Sequence, residues 1–253
     1  MTATTLTRTW REPAATRDGL ARLAPLDGEL WASRLLTDRR CATRQQTADL
    51  ARITAEVRSR ARHLGAAALV LTGSTARGRR SAVSDLDYHV IGARPRLDDL
   101  PAEIDLYCDE PAEFLTKLER GDDFAHWTVR HGCVLFDSGA LHEAAAYAAD
   151  RDLWPDPERK LRQARRALDF AERLLASDDH AASHEQVRGA LSLTARWWLL
   201  AHDVFPLARA ELPAQLAMLR QPALARALQA AIHDRPDTED LSAFLAVARS
   251  LTG

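Results

Sequence analysis

The stretch LVLTGSTARGRRSAVSDLDYHVI, residues Leu69–Ile91, decides the fold that this sequence predicts. An apolar run, Ala66–Leu71, lies between two glycines and is typical of a buried strand. Gly73 then permits a tight turn or a close approach of the backbone to a ligand. Ser74 is the predicted N-cap of a short helix, whose free N–H groups, together with Arg77, favour a bound phosphate.

The second half of the stretch, SDLDYHVI, predicts a strand with two carboxylates on one face. Side chains alternate along a strand, so Asp85, Asp87 and His89 share a face. Two adjacent carboxylates repel each other unless a cation lies between them, and such hard oxygen ligands suit Mg²⁺. A phosphate-binding turn that leads into a carboxylate pair indicates chemistry on a nucleoside triphosphate. The structural alternative is that Asp85 or Asp87 only caps or solvates the strand entrance, although an unpaired Asp87 among apolar neighbours would be costly.

These residues resemble the signature of a known superfamily. Gly73-Ser74, ten intervening residues and Asp85-Leu86-Asp87 are similar to the motif of the DNA polymerase β-like nucleotidyltransferases, and look most like the minimal and antibiotic-modifying (aminoglycoside-type) branch. The resemblance implies that the Gly-Ser turn holds a triphosphate and that the Asp pair binds two Mg²⁺. It also implies a third carboxylate on a later, neighbouring strand.

The third carboxylate is expected in the next predicted strand, Glu103–Asp109. Alternation places its acidic residues on one face. Asp105 lies in the middle of this strand between two apolar residues, so it is our first choice. Glu103 remains the alternative, and an ordinary, partly exposed acid on an edge strand remains the structural interpretation.

Composition and charge are those of an ordinary globular protein. The 253 residues are 46% hydrophobic and 28% charged, and the net charge of −2 predicts no general attraction to nucleic acid or to an anionic membrane. Cys41, Cys108 and Cys133 are scattered, which argues against a disulfide framework or a zinc site and favours the cytoplasm. No apolar run approaches the ~20 residues that span a bilayer. We expect no membrane partner, and the sequence leaves a homodimer open.

The predicted fold class is α+β, in three parts. Residues 1–44 form a leader with short helices, residues 45–150 a nucleotidyltransferase domain with a small mixed sheet and flanking helices, and residues 151–253 an antiparallel helical bundle. A helix over Gln45–Leu64 should end at Gly65. Pro111, and Asp122 or Asp123, predict the starts of two further helices.

The bundle resembles the C-terminal domain that antibiotic nucleotidyltransferases use for the acceptor. That resemblance implies an acceptor cleft between the domains, with Trp154, Trp197 and Trp198 as candidate lining residues. It also implies that a basic residue early in the bundle, here Lys160, reaches the triphosphate. The structural alternatives are buried tryptophans and a solvated lysine.

Four more polar residues have a functional and a structural interpretation. The segment TVRHGCVLFD looks like the one that follows the third acid in minimal nucleotidyltransferases, which would bring Arg130 and His131 near the site. A basic residue at a helix end also serves the helix dipole. Arg196 and His202 loosely fit the Arg…His pattern of HEPN-type ribonucleases, and a place in the core or in a groove is the alternative.

The sequence therefore predicts a nucleotidyltransferase. Two Mg²⁺ would be bound by Asp85, Asp87 and Asp105, and ATP or another NTP by Gly73, Ser74, Arg77 and Lys160. Asp105 is also the candidate base for the acceptor hydroxyl. The expected acceptor is a small hydroxylated molecule, such as an antibiotic. A protein or tRNA acceptor, as in toxin–antitoxin enzymes, and a degenerate nucleotide-binding or interaction module are the alternatives.

Overall fold

The computed structural model of the chain describes residues 44–77, 85–96, 99, 104–177, 179–234 and 236–253. They form two compact units, which divide between Pro155 and Asp156. Residues 1–43 of the predicted leader lie outside the described residues. The predicted bounds of the three domains stay a prediction. None of the helices within these ranges combines the length and the apolar character that crossing a membrane requires.

A four-stranded mixed sheet forms the centre of the first unit, with the strand order β3-β2-β1-β4. Its strands are β1 (Ala68–Leu71), β2 (Leu86–Ile91), β3 (Ile104–Asp109) and β4 (Cys133–Asp137). Strand β1 pairs antiparallel with β2 and β4, whereas β2 and β3 are parallel. The predicted α+β class with a small mixed sheet is confirmed.

Helices before, between and after the strands complete this unit. They are α1 (Arg44–His63), α2 (Gly73–Ala76), α3 (Pro111–Glu119), α4 (Asp123–His131) and α5 (Ala140–Asp150). Gly65 adopts a φ of +74° and donates its N–H to Arg62 O at 3.0 Å, so the predicted glycine end of α1 is confirmed. Pro111 begins α3, and Asp122 caps α4 by accepting two main-chain N–H groups at 3.1 Å.

The two faces of the sheet are covered by different helices. On one face Val70 and Ile91 share a core with Phe114 of α3 and Val129 of α4. On the other face Tyr88 is fully buried, and its hydroxyl lies 2.6 Å from the hydroxyl of Thr54 in α1. Paired residues of antiparallel strands share a face, and His89 pairs with Val70. The face that carries Asp87 and His89 is therefore the face covered in part by α3 and α4.

The second unit is helical in its described residues. Its helices are α6 (Pro157–Leu175), α7 (His180–Ala201), α8 (Leu212–Met218), α9 (Pro222–His233) and α10 (Thr238–Thr252), with a short 3-10 helix at Arg209–Glu211. All five helices contribute to one apolar core, which includes Leu168, Leu191, Leu216, Leu228 and Leu245. The connection between α6 and α7 is short, as in antiparallel helix pairs. The predicted bundle is present.

Candidate metal and nucleotide site

Three carboxylates meet where β2 and β3 begin. Asp85 immediately precedes β2, and Asp87 and Asp105 are register partners in the parallel strand pair. One oxygen of each carboxylate lies within 4.8 Å of the corresponding oxygens of the other two, with Asp87 half-buried and the other two exposed. A divalent cation can be held by ligands at this spacing. The structure thus brings together the three acids that the sequence predicted as ligands, and Glu103 lies outside the described residues.

The electrostatics of the cluster fit a bound cation. Burial raises the pKa of Asp105, and so do the negative charge of Asp85 and a hydrogen bond to Asp85. The charge of Asp85 therefore makes ionisation of Asp105 less favourable, as between other like-charged neighbours. A cation bound between them would reverse this effect, because it stabilises all of the charged forms.

The turn between β1 and α2 lies directly against Asp87. Gly73 has a φ of +66°, and a Cβ atom at this position would lie 1.8 Å from Oδ2 of Asp87. Thr72 donates its N–H to Asp87 O at 2.8 Å and so extends the pairing of β1 with β2 into the turn. The sequence predicted a tight turn at Gly73 or a close approach to a ligand. The structure shows a turn whose backbone lies against a carboxylate of the acidic cluster.

The predicted N-cap at Ser74 is wrong. Helix α2 is capped by Thr72, whose backbone is extended, and Ser74 is the second helical residue. The shift has a physical cause. Because sheet pairing continues through Thr72, its carbonyl is the first to accept a helical bond, from Ala76 N at 3.3 Å. Ser74 is half-buried beside Gly73.

Arg77 belongs to a group of basic side chains next to this turn. It is the C-cap residue that follows α2, and it is half-buried. Burial and the positive charges of Arg77 and Arg130 lower the pKa of His131 to about 3, so its imidazole is neutral at pH 7. Arg130 donates to Leu153 O at 3.2 Å and lies 5.0 Å from the ring centroid of Trp154. Arg130 therefore contacts the segment that contains Leu153 and Trp154, and these contacts stabilise the local structure whether or not Arg130 also binds a ligand.

A buried polar network that the sequence did not predict lies on the same face of the sheet. His89 is fully buried; its Nε2 lies 3.0 Å from Asp109 Oδ2, and its Nδ1 lies 3.0 Å from Thr128 Oγ1. Lys117 of α3 donates to the other oxygen of Asp109. Burial raises the pKa of Asp109, but the hydrogen bonds from His89 and Lys117 outweigh it and leave this pKa below its usual value. Strand alternation placed His89 and Asp109 on this face, but no sequence signal identified Lys117 or Thr128 as their partners.

In the second unit Lys160 is buried, with 7% of its surface exposed, and its Nζ donates to Gln163 Oε1 at 2.7 Å. It is therefore not the solvated lysine of the structural alternative. Its predicted contact with a triphosphate stays a prediction.

The tryptophans and the Arg…His pattern of α7 lie within the helical unit. The rings of Trp197 and Trp198 meet edge to face at 5.7 Å, and Trp198 stacks on His202 at 4.4 Å. His202 Nδ1 lies 2.7 Å from Trp198 O, and Arg196 donates to Leu207 O at 3.2 Å. Both members of the pattern thus bond to main-chain carbonyls, a contact that supports local structure.

The chain was compared with protein families, with curated proteins and with solved structures. No protein family model and no curated protein matches the chain. Among solved structures the chain is similar to a nucleotidyltransferase-like protein from Exiguobacterium sibiricum 255-15, with a TM-score of 0.39 and 15% sequence identity, over 77% of this chain and 71% of that one. These values are too low for the likeness to assign a function.

Proposed function

We propose that this chain is a metal-dependent nucleotidyltransferase that works in the cytoplasm. It would transfer a nucleoside monophosphate from ATP or another NTP to a hydroxyl group of a small acceptor and release pyrophosphate. The observation that carries this proposal is the convergence of Asp85, Asp87 and Asp105 within 4.8 Å, in contact with the Gly73 turn. Exposed acids often cluster without function, but here parallel strand pairing holds two of the three opposite each other.

The three carboxylates are the residues that would hold Mg²⁺. They offer the hard oxygen ligands that Mg²⁺ prefers, and a bound cation would offset the effect of the Asp85 charge on the ionisation of Asp105. When bound, the metal supplies charge neutralisation for the triphosphate and lowers the pKa of the attacking hydroxyl. The chain itself provides the positions of the ligands and a base.

Asp105 is the residue that we assign as this base. A carboxylate oxygen of Asp105 accepts the proton of the acceptor hydroxyl, whose own pKa the bound metal would lower. The acceptor oxygen then bonds to the α-phosphorus, and the bond from that phosphorus to the pyrophosphate oxygen breaks. Atoms and charge balance with a nucleotidylated acceptor and pyrophosphate as products.

The nucleotide-binding residues remain those that the sequence predicted. Main-chain N–H groups of Gly73 and Ser74 would bind phosphate oxygens, and the Arg77 guanidinium at the end of the same turn would add a charge-assisted contact. Lys160 is the fourth residue that the sequence predicts for nucleotide binding. A small acceptor is favoured over tRNA because the chain has a net charge of −2 and no excess of basic residues.

The proposal is tested with Asp87→Asn and Asp105→Asn variants. We expect wild-type protein to bind Mn²⁺ in calorimetry, and to convert labelled NTP into a heavier acceptor and pyrophosphate in a mass-resolved screen. Either substitution should lower turnover by at least about a hundredfold, while the circular dichroism spectrum stays unchanged. The metal-free variants should be as stable as wild type or more stable, because one of the repelling charges is gone.

The matched control is Asp150→Asn, which changes an exposed carboxylate at the end of α5 in the same unit. It should retain wild-type metal affinity and turnover. Full activity in Asp87→Asn would contradict the proposed chemistry. Nucleotide binding without any turnover, by wild-type protein that binds Mn²⁺, would indicate the degenerate binding module instead, and labelling of protein or tRNA would indicate the toxin-type acceptor.

A further inference from the structure

Tyr107 is an exposed aromatic residue on the face of β3 that carries Asp105. Its side chain is 43% exposed, whereas the other described aromatic residues of the first unit are buried or half-buried. A tyrosine on a sheet surface usually gains stability by burying its ring. An exposed ring close to a cluster of functional groups is available for contact with a ligand.

The ring of Tyr107 is held in place by its neighbours. Its centroid lies 4.4 Å from that of Phe124, and Phe124 lies 5.3 Å from the ring of His89. His89 is fully buried and contacts Asp109 and Thr128 through its two nitrogens. A ligand that packs on Tyr107 therefore meets a surface whose orientation is already set, which lowers the entropy cost of binding.

The order of the strands places Tyr107 on the acceptor side of the cluster. The Gly73 turn follows β1, Asp87 lies on β2, and Asp105 lies on β3 at the edge of the described sheet. In the proposed reaction the triphosphate is bound at the turn and the acceptor hydroxyl at Asp105, so nucleotide and acceptor lie toward opposite sides of Asp87. Tyr107 follows Asp105 by two residues, which is about 7 Å along a strand and on the same face. An acceptor whose hydroxyl is bound at Asp105 can therefore place a ring against Tyr107.

We propose that Tyr107, supported by Phe124, is the surface on which the acceptor packs, and that the acceptor carries its hydroxyl on a ring with a flat apolar face. A tyrosine ring offers a large, rigid contact area and loses little side-chain entropy on binding. A sugar ring or an aromatic ring can cover it, whereas an open-chain polyol has no matching face. This inference rests on the proposed function, because it uses the assignment of Asp105 as the base.

The first experiment compares ring and chain probes. Saturation-transfer NMR is recorded with methyl glucopyranoside, with benzyl alcohol and with sorbitol, each in the presence of Mg²⁺ and a non-hydrolysable ATP analogue. We expect at least one ring probe to bind wild-type protein about tenfold more tightly than sorbitol. Equal binding of sorbitol, or no binding of either ring probe, would overturn the inference.

The second experiment compares Tyr107→Ala and Tyr107→Phe. The alanine variant should weaken binding of the preferred ring probe by about tenfold, and the phenylalanine variant, which keeps the ring, should stay within about twofold of wild type. Phe170→Ala is the control, since Phe170 is an aromatic residue of similar exposure, 45%, in the second unit. Affinities for Mn²⁺ and for the ATP analogue should be unchanged in all three variants. Unaltered probe binding by Tyr107→Ala would overturn the inference.

Measuring Mn²⁺ with each protein separates the two hypotheses. If wild-type protein fails to bind Mn²⁺, the proposed nucleotidyl transfer fails. If it binds Mn²⁺ and nucleotide but ring binding does not depend on Tyr107, only the inference about the acceptor fails.

Discussion

At the scale of single residues, Gly73 shows how backbone conformation and the acidic cluster depend on each other. Its φ of +66° is one that residues with a side chain adopt only with strain. In addition, the space of a Cβ atom is occupied by Oδ2 of Asp87, at 1.8 Å. The position therefore requires glycine for two independent reasons, and the second one concerns the geometry of the candidate metal ligands.

We predict that Gly73→Ala lowers metal affinity even though alanine adds only a methyl group. The Asp87 carboxylate must move to make room for it, and displacing a group that orients a metal ligand typically costs about ten- to a hundredfold in affinity. Calorimetric titration with Mn²⁺ measures the effect. The strain of a positive φ alone should lower the free energy of unfolding by about 1–3 kcal/mol.

Gly65→Ala separates these two contributions. Gly65 also has a positive φ, +74°, but a Cβ atom there would meet nothing within 4 Å. This variant should lose stability and keep wild-type affinity for Mn²⁺. Equal Mn²⁺ affinity in Gly73→Ala and wild type would show that Asp87 is not held in place by the glycine turn.

At the scale of secondary-structure elements, the network around His89 connects four of them. His89 lies on β2, Asp109 on β3, Lys117 on α3 and Thr128 on α4. The side chain of Asp109 is 5% exposed, and each of its oxygens accepts a hydrogen bond from a different partner. The network therefore holds β3 and the two covering helices against β2, in the same strand pair that sets Asp87 opposite Asp105.

We predict that Asp109→Asn destabilises the protein by about 2–4 kcal/mol, because it leaves a lysine and a buried histidine without their shared acceptor charge. Urea unfolding followed by circular dichroism measures this loss. The folded-state pKa of Asp109 lies below its usual value, so the contribution of its charge is present above the unfolded pKa near 4 and declines as the pH falls. The difference in the free energy of unfolding between wild type and Asp109→Asn should therefore become smaller below about pH 4.

Asp99→Asn is the comparison for this prediction. Asp99 also pairs with a basic residue, Arg60, through two hydrogen bonds, but its side chain is 68% exposed. Exposed ion pairs contribute little because water and salt screen them, so this variant should unfold almost as wild type does. If Asp109→Asn lowered the free energy of unfolding as little as Asp99→Asn does, the buried network would not be what holds these elements together.

At the scale of the whole molecule, the prediction that remains to be tested is that Lys160 binds the nucleotide. Lys160→Met keeps most of the apolar stem and removes the charge. We expect a ten- to hundredfold fall in kcat/KM for the NTP, because a lost charge-assisted contact typically costs about 1.5–3 kcal/mol. Steady-state kinetics with varied NTP measure it.

Arg162→Met is the control for Lys160→Met. Arg162 is a basic residue of the same helix, its side chain is 60% exposed, and it lies 3.7 Å from Asp156. It should keep wild-type kinetics. An unchanged KM and kcat in Lys160→Met would limit Lys160 to its bond with Gln163 and to packing within α6.

Local features of the sequence were sufficient for most of the elements and for the composition of the candidate site. The strand around Val70, the glycine end of α1 at Gly65 and the helix starts at Pro111 and Asp122 each depend on residues a few positions apart. Their signals are apolar periodicity, a positive φ and side-chain caps, which act within one turn or one strand. For the same reason Asp85 and Asp87 were recognisable as a pair before their surroundings were known.

Only the tertiary structure decided which distant residues meet. The parallel pairing that sets Asp105 opposite Asp87, the recruitment of Lys117 to Asp109, and the cap at Thr72 in place of Ser74 all follow from contacts between separate strands and helices. Such contacts form when apolar surfaces far apart in the chain are buried together, and local preferences do not specify which of these surfaces meet. The burial of Lys160 and the exposure of Tyr107 have the same origin, since both depend on which neighbours cover them.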